Sequence, residues 1–171
     1  MLKLIGLTGV IISLGLAGIC KSKQMYRRLF LLEDYYEIII KIKSQIGYFK
    51  EPLPELFIMN KTNKNSKASL LLNNIGERLK NDSVGMEELW KREVNSLYKS
   101  EPIKEEDIVT FNYPCSFLGK TDYENQLLHF SYLEEKLNMT IERVRTDIAN
   151  KTPMYNKIGF FIGAIIAILL I

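Results

Sequence analysis

A single histidine, His129, and two cysteines, Cys20 and Cys115, are all the imidazole and thiol that this chain of 171 residues has. One imidazole excludes a His-rich metal centre, and the cysteines belong to neither a CxxC pair nor a Cys/His ligand pattern. They build no disulfide framework either, so both are expected to be reduced, half-buried apolar residues. Neither GxxxxGK[ST] nor GxGxxG after a strand occurs, so no phosphate cradle is expected and any energy from nucleotide hydrolysis must come from a partner. Strand-like alternation of useful length is also missing, which leaves an all-α fold. Nor is there an excess of one charge: 23 Lys and Arg against 20 Asp and Glu give a net +3 with the signs interleaved. That is unlike the one-sided field of a protein that wraps nucleic acid, so no nucleic-acid partner is expected.

What is present is segregated. Of the 23 Lys and Arg residues only Lys3 lies outside positions 21–157, and all 20 Asp and Glu lie inside. From Leu4 to Cys20 the chain reads LIGLTGVIISLGLAGIC without a charge, about 25 Å of helix and close to a hydrocarbon core. A cleavable signal peptide calls for a more basic start and a shorter apolar run. A lipoprotein site at Cys20 calls for a small residue where Ile19 stands. We therefore expect residues 1–20 to form an uncleaved transmembrane helix, with Gly6, Gly9, Gly15 and Gly18 offering small faces to a neighbour. The far end, 158–171, reads IGFFIGAIIAILLI and has no polar face. It is expected to be a C-terminal transmembrane or membrane-inserted segment whose length the preceding helix completes. Lys21, Lys23, Arg27 and Arg28 follow the first segment, and Arg143, Arg145, Lys151 and Lys157 precede the second. The positive-inside rule then places the domain 21–157 in the cytoplasm, with both chain ends across the membrane.

Within 21–157 the apolar positions recur at helical steps. Met25, Leu29, Leu32, Tyr36, Ile39, Ile40 and Ile46 predict a helix from about Lys21 to Ile46 that continues the first span, with Gly47 as its stop. Pro54 can open a short helix reaching about Asn60, and Lys61-Thr62-Asn63-Lys64-Asn65 reads as a loop. Ser66 can cap a third helix to about Lys80; a fourth takes Met86, Leu89, Trp90, Val94 and Leu97. A fifth, from about Lys104 to Leu118, should bend at Pro114. Thr121 with Glu124 has capping-box spacing, and Leu127, Leu128, Tyr132, Leu133, Leu137, Ile141, Val144 and Ile148 carry the last helix to about Thr152, where Pro153 hands over to the tail. The expected architecture is an antiparallel bundle of about six helices flanked by N- and C-terminal transmembrane segments, with the first and last helices side by side.

Asp122, Gln126 and His129 form the most specific polar constellation, since steps of four and three place them on one helix face. An enzyme would use His129 as a general base oriented by a carboxylate, but no Ser or Cys nucleophile sits in a recognisable elbow and no second histidine can share a metal. The simpler reading is a polar seam that satisfies helix-start amides and bonds a neighbouring helix, in a protein that is not an enzyme and has no small-molecule substrate. Trp90 and the group Tyr26, Phe30, Tyr35 and Tyr36 are either a partner surface or core, and helical spacing favours core.

Several short motifs share an order and spacing with a known family. They are Leu2-Lys3-Leu4-Ile5-Gly6, Ile46-Gly47-Tyr48 before Pro52-Leu53-Pro54-Glu55, Glu88-Leu89-Trp90, Leu118-Gly119 with Asp122, Gln126 and His129, and a short Gly-containing tail after Lys157. Together they resemble the stage III sporulation protein AB family over essentially the whole chain; Gln45 stands where that family usually carries a glutamate. The resemblance implies a membrane component of a channel complex in endospore-forming bacteria, built in the mother cell and facing the forespore. It also implies a helical domain similar to the cytoplasmic domains of the type II secretion inner-membrane platform protein F. Its expected partners are the membrane, the cytosolic secretion-type ATPase of the same operon (the AA protein) and other membrane subunits, with self-association left open. A membrane-tethered regulator that binds a ligand is the alternative, and an exposed polar pocket in the bundle would favour it.

Overall fold

The computed structural model describes residues 2–46, 52–59, 66–81 and 84–169. Among the described residues there are six α-helices and no strand. They are α1 (Leu2–Gln45), α2 (Leu53–Met59), α3 (Lys67–Asn81), α4 (Met86–Ser100), α5 (Glu105–Asn112) and α6 (Tyr123–Leu169), with a 3-10 turn at Tyr113–Ser116. The Gly47 stop and the loop 61–65 expected from the sequence lie outside the described residues.

Local chemistry sets the boundaries. The carbonyl of Pro52 accepts the amides of Glu55 and Leu56 at 3.0 and 3.3 Å, which opens α2. At α3 the Ser66 hydroxyl accepts the Ser69 amide at 3.3 Å, so the expected cap is in place. In α5 the Lys104 amide donates to the Asp107 carboxylate at 2.7 Å, and acidic Glu105, Glu106 and Asp107 fill the first turn, where the helix dipole favours negative charge.

Two boundaries differ from expectation. The fifth helix does not bend and continue; it stops at Asn112 and tightens into the 3-10 turn. Pro114 has no N–H to offer the Thr110 carbonyl, and the Tyr113 amide takes that carbonyl instead, one residue early. The last helix is capped by Asp122 rather than Thr121: Asp122 Oδ1 accepts the Asn125 amide at 2.9 Å, while the Thr121 hydroxyl turns back to the Phe117 carbonyl at 3.4 Å. A carboxylate is the stronger acceptor for a helix-start amide, and it sits one residue nearer the first turn. Helix α6 then runs through Pro153 without a break.

The chain forms two compact units, Met1–Leu29 with Glu142–Ile171, and Phe30–Ile141. In the second, α2 lies on α3, α3 on α4, and α4 on α5. Leu32, Tyr35, Ile38, Ile39 and Ile42 of α1, Ile75 of α3, Leu89, Trp90 and Val94 of α4, and Phe130, Leu133 and Leu137 of α6 are fully buried. Each such aliphatic or aromatic side chain stabilises the fold by about 1.5–3 kcal/mol relative to exposure. Lys43 donates to Glu134 at 2.6 Å, tying the end of α1 to α6. The aromatic group divides: Trp90 and Tyr35 are core, as spacing suggested, whereas Tyr26 and Phe30 are 42% and 61% exposed. They stand on the side of α1 opposite its buried residues.

In the first unit, Val144 and Ile148 of α6 and Ser22, Arg28 and Leu29 of α1 are buried, while Ile12, Leu16, Phe161 and Ile165 are 59%, 55%, 67% and 57% exposed. Among the described residues no helix is long and apolar enough to cross a membrane. The expected end spans, 1–20 and 158–171, rest largely on side chains outside the described set.

Close approach fixes α2 on α3. A Cβ at Gly76 would lie 2.8 Å from the Pro54 carbonyl oxygen and 2.9 Å from Ile58 Cγ1. Gly76→Ala is therefore expected to lower unfolding stability by about 1–3 kcal/mol, because backbone rather than a mobile side chain must yield. Urea unfolding of the purified chain measures it, and an unchanged midpoint would contradict this close contact.

Candidate interaction surface

The centre of the Phe30–Ile141 unit is a backbone carbonyl. Pro114 disrupts the ladder at the end of α5, and the Phe111 carbonyl accepts two buried side-chain donors, Trp90 Nε1 of α4 at 2.7 Å and the Tyr35 hydroxyl of α1 at 3.1 Å. Both lone pairs of that oxygen are thereby used. The rings reinforce the geometry: Tyr35 meets Phe111 edge-on at 4.2 Å, and Phe57 of α2 meets Trp90 at 5.6 Å. Burial pushes the Tyr35 phenol well above its usual range, so it stays protonated and remains a donor. Trp90, Tyr35 and Pro114 stand far apart in the sequence, and no local spacing announces that they act at one junction.

Of the three residues of the expected polar seam, Gln126 and His129 lie on α6 and Asp122 immediately precedes it, and each bonds elsewhere. Asp122 holds Asn125 through its backbone and side-chain amides at 2.9 and 2.6 Å, and these bonds lower its pKa. Gln126 donates to the Thr121 carbonyl at 2.8 Å, and its Oε1 is shielded from solvent without a protein partner. His129 lies 2.7 Å from the Tyr113 hydroxyl through Nδ1 and stacks on Phe117 with ring centres 4.9 Å apart. Tyr113, whose pKa is raised first by burial and then by Tyr132, touches the Tyr132 ring at 5.4 Å. Among the described residues the His129 ring meets Tyr113, Phe117 and no carboxylate. Of the three, His129 alone fastens the 3-10 turn onto α6, through Tyr113. Among the described residues no group of three or more His, Cys, Asp or Glu side chains is placed to hold a metal ion.

One cleft opens between α3 and α4, about 150 Å3 in volume, with Asn74, Glu93, Ser96 and Ser100 among its lining. Its buried carboxylate, Glu93, is already held by Arg78 Nε at 3.3 Å and by Asn74 Nδ2 at 3.2 Å. The cleft is smaller than the usual ligand pocket of about 300–1,000 Å3, and its central charge is spent on joining two helices.

The outer faces are ionic with isolated large apolar residues. Glu87 at the start of α4 bonds Lys120 at 2.9 Å and Lys91 at 2.7 Å. Lys120 first, and Lys91 second, pull its pKa down to about 2. Leu70, Tyr98 and Val109, on α3, α4 and α5, remain 36%, 39% and 63% exposed over the closed core.

The sequence profile described as stage III sporulation protein AB matches residues 3–171. A solved structure described as stage III sporulation protein AB superposes with a TM-score of 0.65 at 14% identity, covering 71% of this chain and 96% of that one. At that identity the likeness speaks for the fold. No curated protein sequence matches the chain.

The Glu87 bridges carry a pH signature. A carboxylate whose pKa is depressed on folding adds stability above its unfolded value, about 4.3, and loses it as pH falls toward about 2. The pair is solvent-exposed, so the effect is small and shrinks in salt. Glu87→Gln is expected to narrow the difference in Tm between pH 6 and pH 3 at low ionic strength, and thermal melts of both proteins at the two pH values check it. An identical difference in both proteins would show that these bridges contribute nothing.

Proposed function

Because the chain belongs to the stage III sporulation protein AB family, we propose that it is a membrane-anchored platform of a sporulation channel complex. In this reading its helical domain, on the cytoplasmic side of the mother-cell membrane, couples a secretion-type ATPase to membrane subunits. The two apolar ends anchor the chain and the bundle between them offers rigid surface rather than bond chemistry. The observation that carries the reading is a division of exposure. Ile12, Leu16, Phe161 and Ile165 at the ends are more than half exposed, an arrangement that lipid would satisfy and water would not. Meanwhile Trp90, Tyr35 and Phe111 in the domain are completely buried. Exposed Lys21, Lys23 and Arg27 follow the first apolar stretch, where a cytoplasmic, anionic membrane surface attracts them.

In this reading the ATPase docks on α3–α5; the exposure of Leu70, Tyr98 and Val109 amid charged residues supports it. The ligand-binding alternative gains no support from the α3–α4 cleft, whose one buried charge is already paired.

Capture of the purified AA ATPase by the full chain in nanodiscs tests this. Leu70→Glu, Tyr98→Glu and Val109→Glu combined are expected to weaken binding at least tenfold, about 1.4 kcal/mol, with helix content unchanged. Undiminished capture by the triple variant would remove the platform assignment from these helices.

A further inference from the structure

Helix α6 is apolar on two opposite sides. Between Tyr123 and Ile141 it buries Phe130, Leu133, Leu137 and Ile141. On the other side Leu128, Tyr132 and Met139 are 68%, 52% and 58% exposed. Steps of four and seven residues align those three along one outward stripe. The stripe has unlike shoulders. Exposed Glu124 and Glu135 border one side, and half-buried Lys136 borders the other.

We infer that this stripe is the contact with a second copy of the chain, two α6 helices lying parallel about a twofold axis. The charge pattern selects the occupant and its direction. A parallel twofold pair sets the left shoulder of one helix against the right shoulder of the other, so Glu135 of each copy faces Lys136 of its mate within one residue of rise. An antiparallel pair would set acid against acid, a destabilising arrangement. This rests on the membrane reading, because two copies anchored by the same ends in one bilayer present α6 in the same direction. The contact is also prepared in advance: the Tyr132 ring leans on Tyr113 at 5.4 Å, so less side-chain freedom is lost on docking.

Size sets the strength. Three apolar side chains per copy fall short of the ~1,000 Å2 that a stable soluble interface needs. The pair should therefore be weak in dilute detergent and form when tethering to one membrane raises the local concentration.

The test uses the full chain with Cys20→Ser, in vesicles of phosphatidylethanolamine and phosphatidylglycerol, exposed to copper phenanthroline. Met139→Cys is expected to give at least fivefold more disulfide-linked dimer than Asn95→Cys, a control at an exposed position on α4. Glu135→Lys should return the Met139→Cys yield to the control level, and Lys136→Glu added to the same chain should restore it. Yields equal to the control, or greater cross-linking between Leu128→Cys and Met139→Cys chains than between like chains, would overturn the parallel contact. Vesicle flotation separates the causes. Chains that float and capture the ATPase but cross-link no more than control leave the platform reading standing and sink this one, whereas chains that fail to float sink both.

Discussion

One carbonyl oxygen organises the helical domain. The Phe111 oxygen accepts both Trp90 and Tyr35, so α5 is pinned to α4 and α1 by directional bonds inside a core that is otherwise nonspecific grease. Apolar burial supplies most of the driving force, but many packings bury similar area; a buried donor left without its acceptor costs about 1–3 kcal/mol, so packings that break this junction carry that penalty. Pro114 is the sequence element behind it. By denying Thr110 its usual partner it ends α5 and turns the chain into the 3-10 segment that delivers Tyr113 and Phe117 to His129. The polar corner of α6 is thus a consequence of the same proline.

Much of this was legible because it is local. The Ser66 cap, the helix running unbroken from the first apolar segment to Gln45, and the apolar seam of the last helix follow from spacing and from hydrogen-bonding capacity within a few residues. The misplaced features depend on competition or on distance. Thr121 and Asp122 are both able caps, and the choice turns on which side chain reaches the Asn125 amide. Tyr26 and Phe30 have the spacing of core residues, but spacing does not say which side of α1 meets a neighbour. Asp122, Gln126 and His129 have the spacing of one helix face, but their separate partners follow from what surrounds each of them.

Three contacts brace the helices of the domain against one another. Glu93 held by Arg78 and Asn74, Lys43 set on Glu134, and Gly76 pressed against Pro54 each join two helices. In the proposed function, the large side chains left outside, on α3 to α6, are the surfaces open to other proteins. In the proposed setting the bilayer supplies what the apolar ends lack, a medium that accepts exposed Ile12, Phe161 and Ile165.

The chain has one tryptophan, and it lies at this junction, so Trp90 is a built-in reporter. The most direct test follows Trp90 emission and its protection from iodide through urea unfolding of the full chain in detergent, beside helix content by circular dichroism. If the Phe111 junction holds the domain together, Trp90 becomes accessible in the same cooperative transition that melts the bundle helices. Exposure of Trp90 at a clearly lower urea concentration, with helix content retained, would contradict the account.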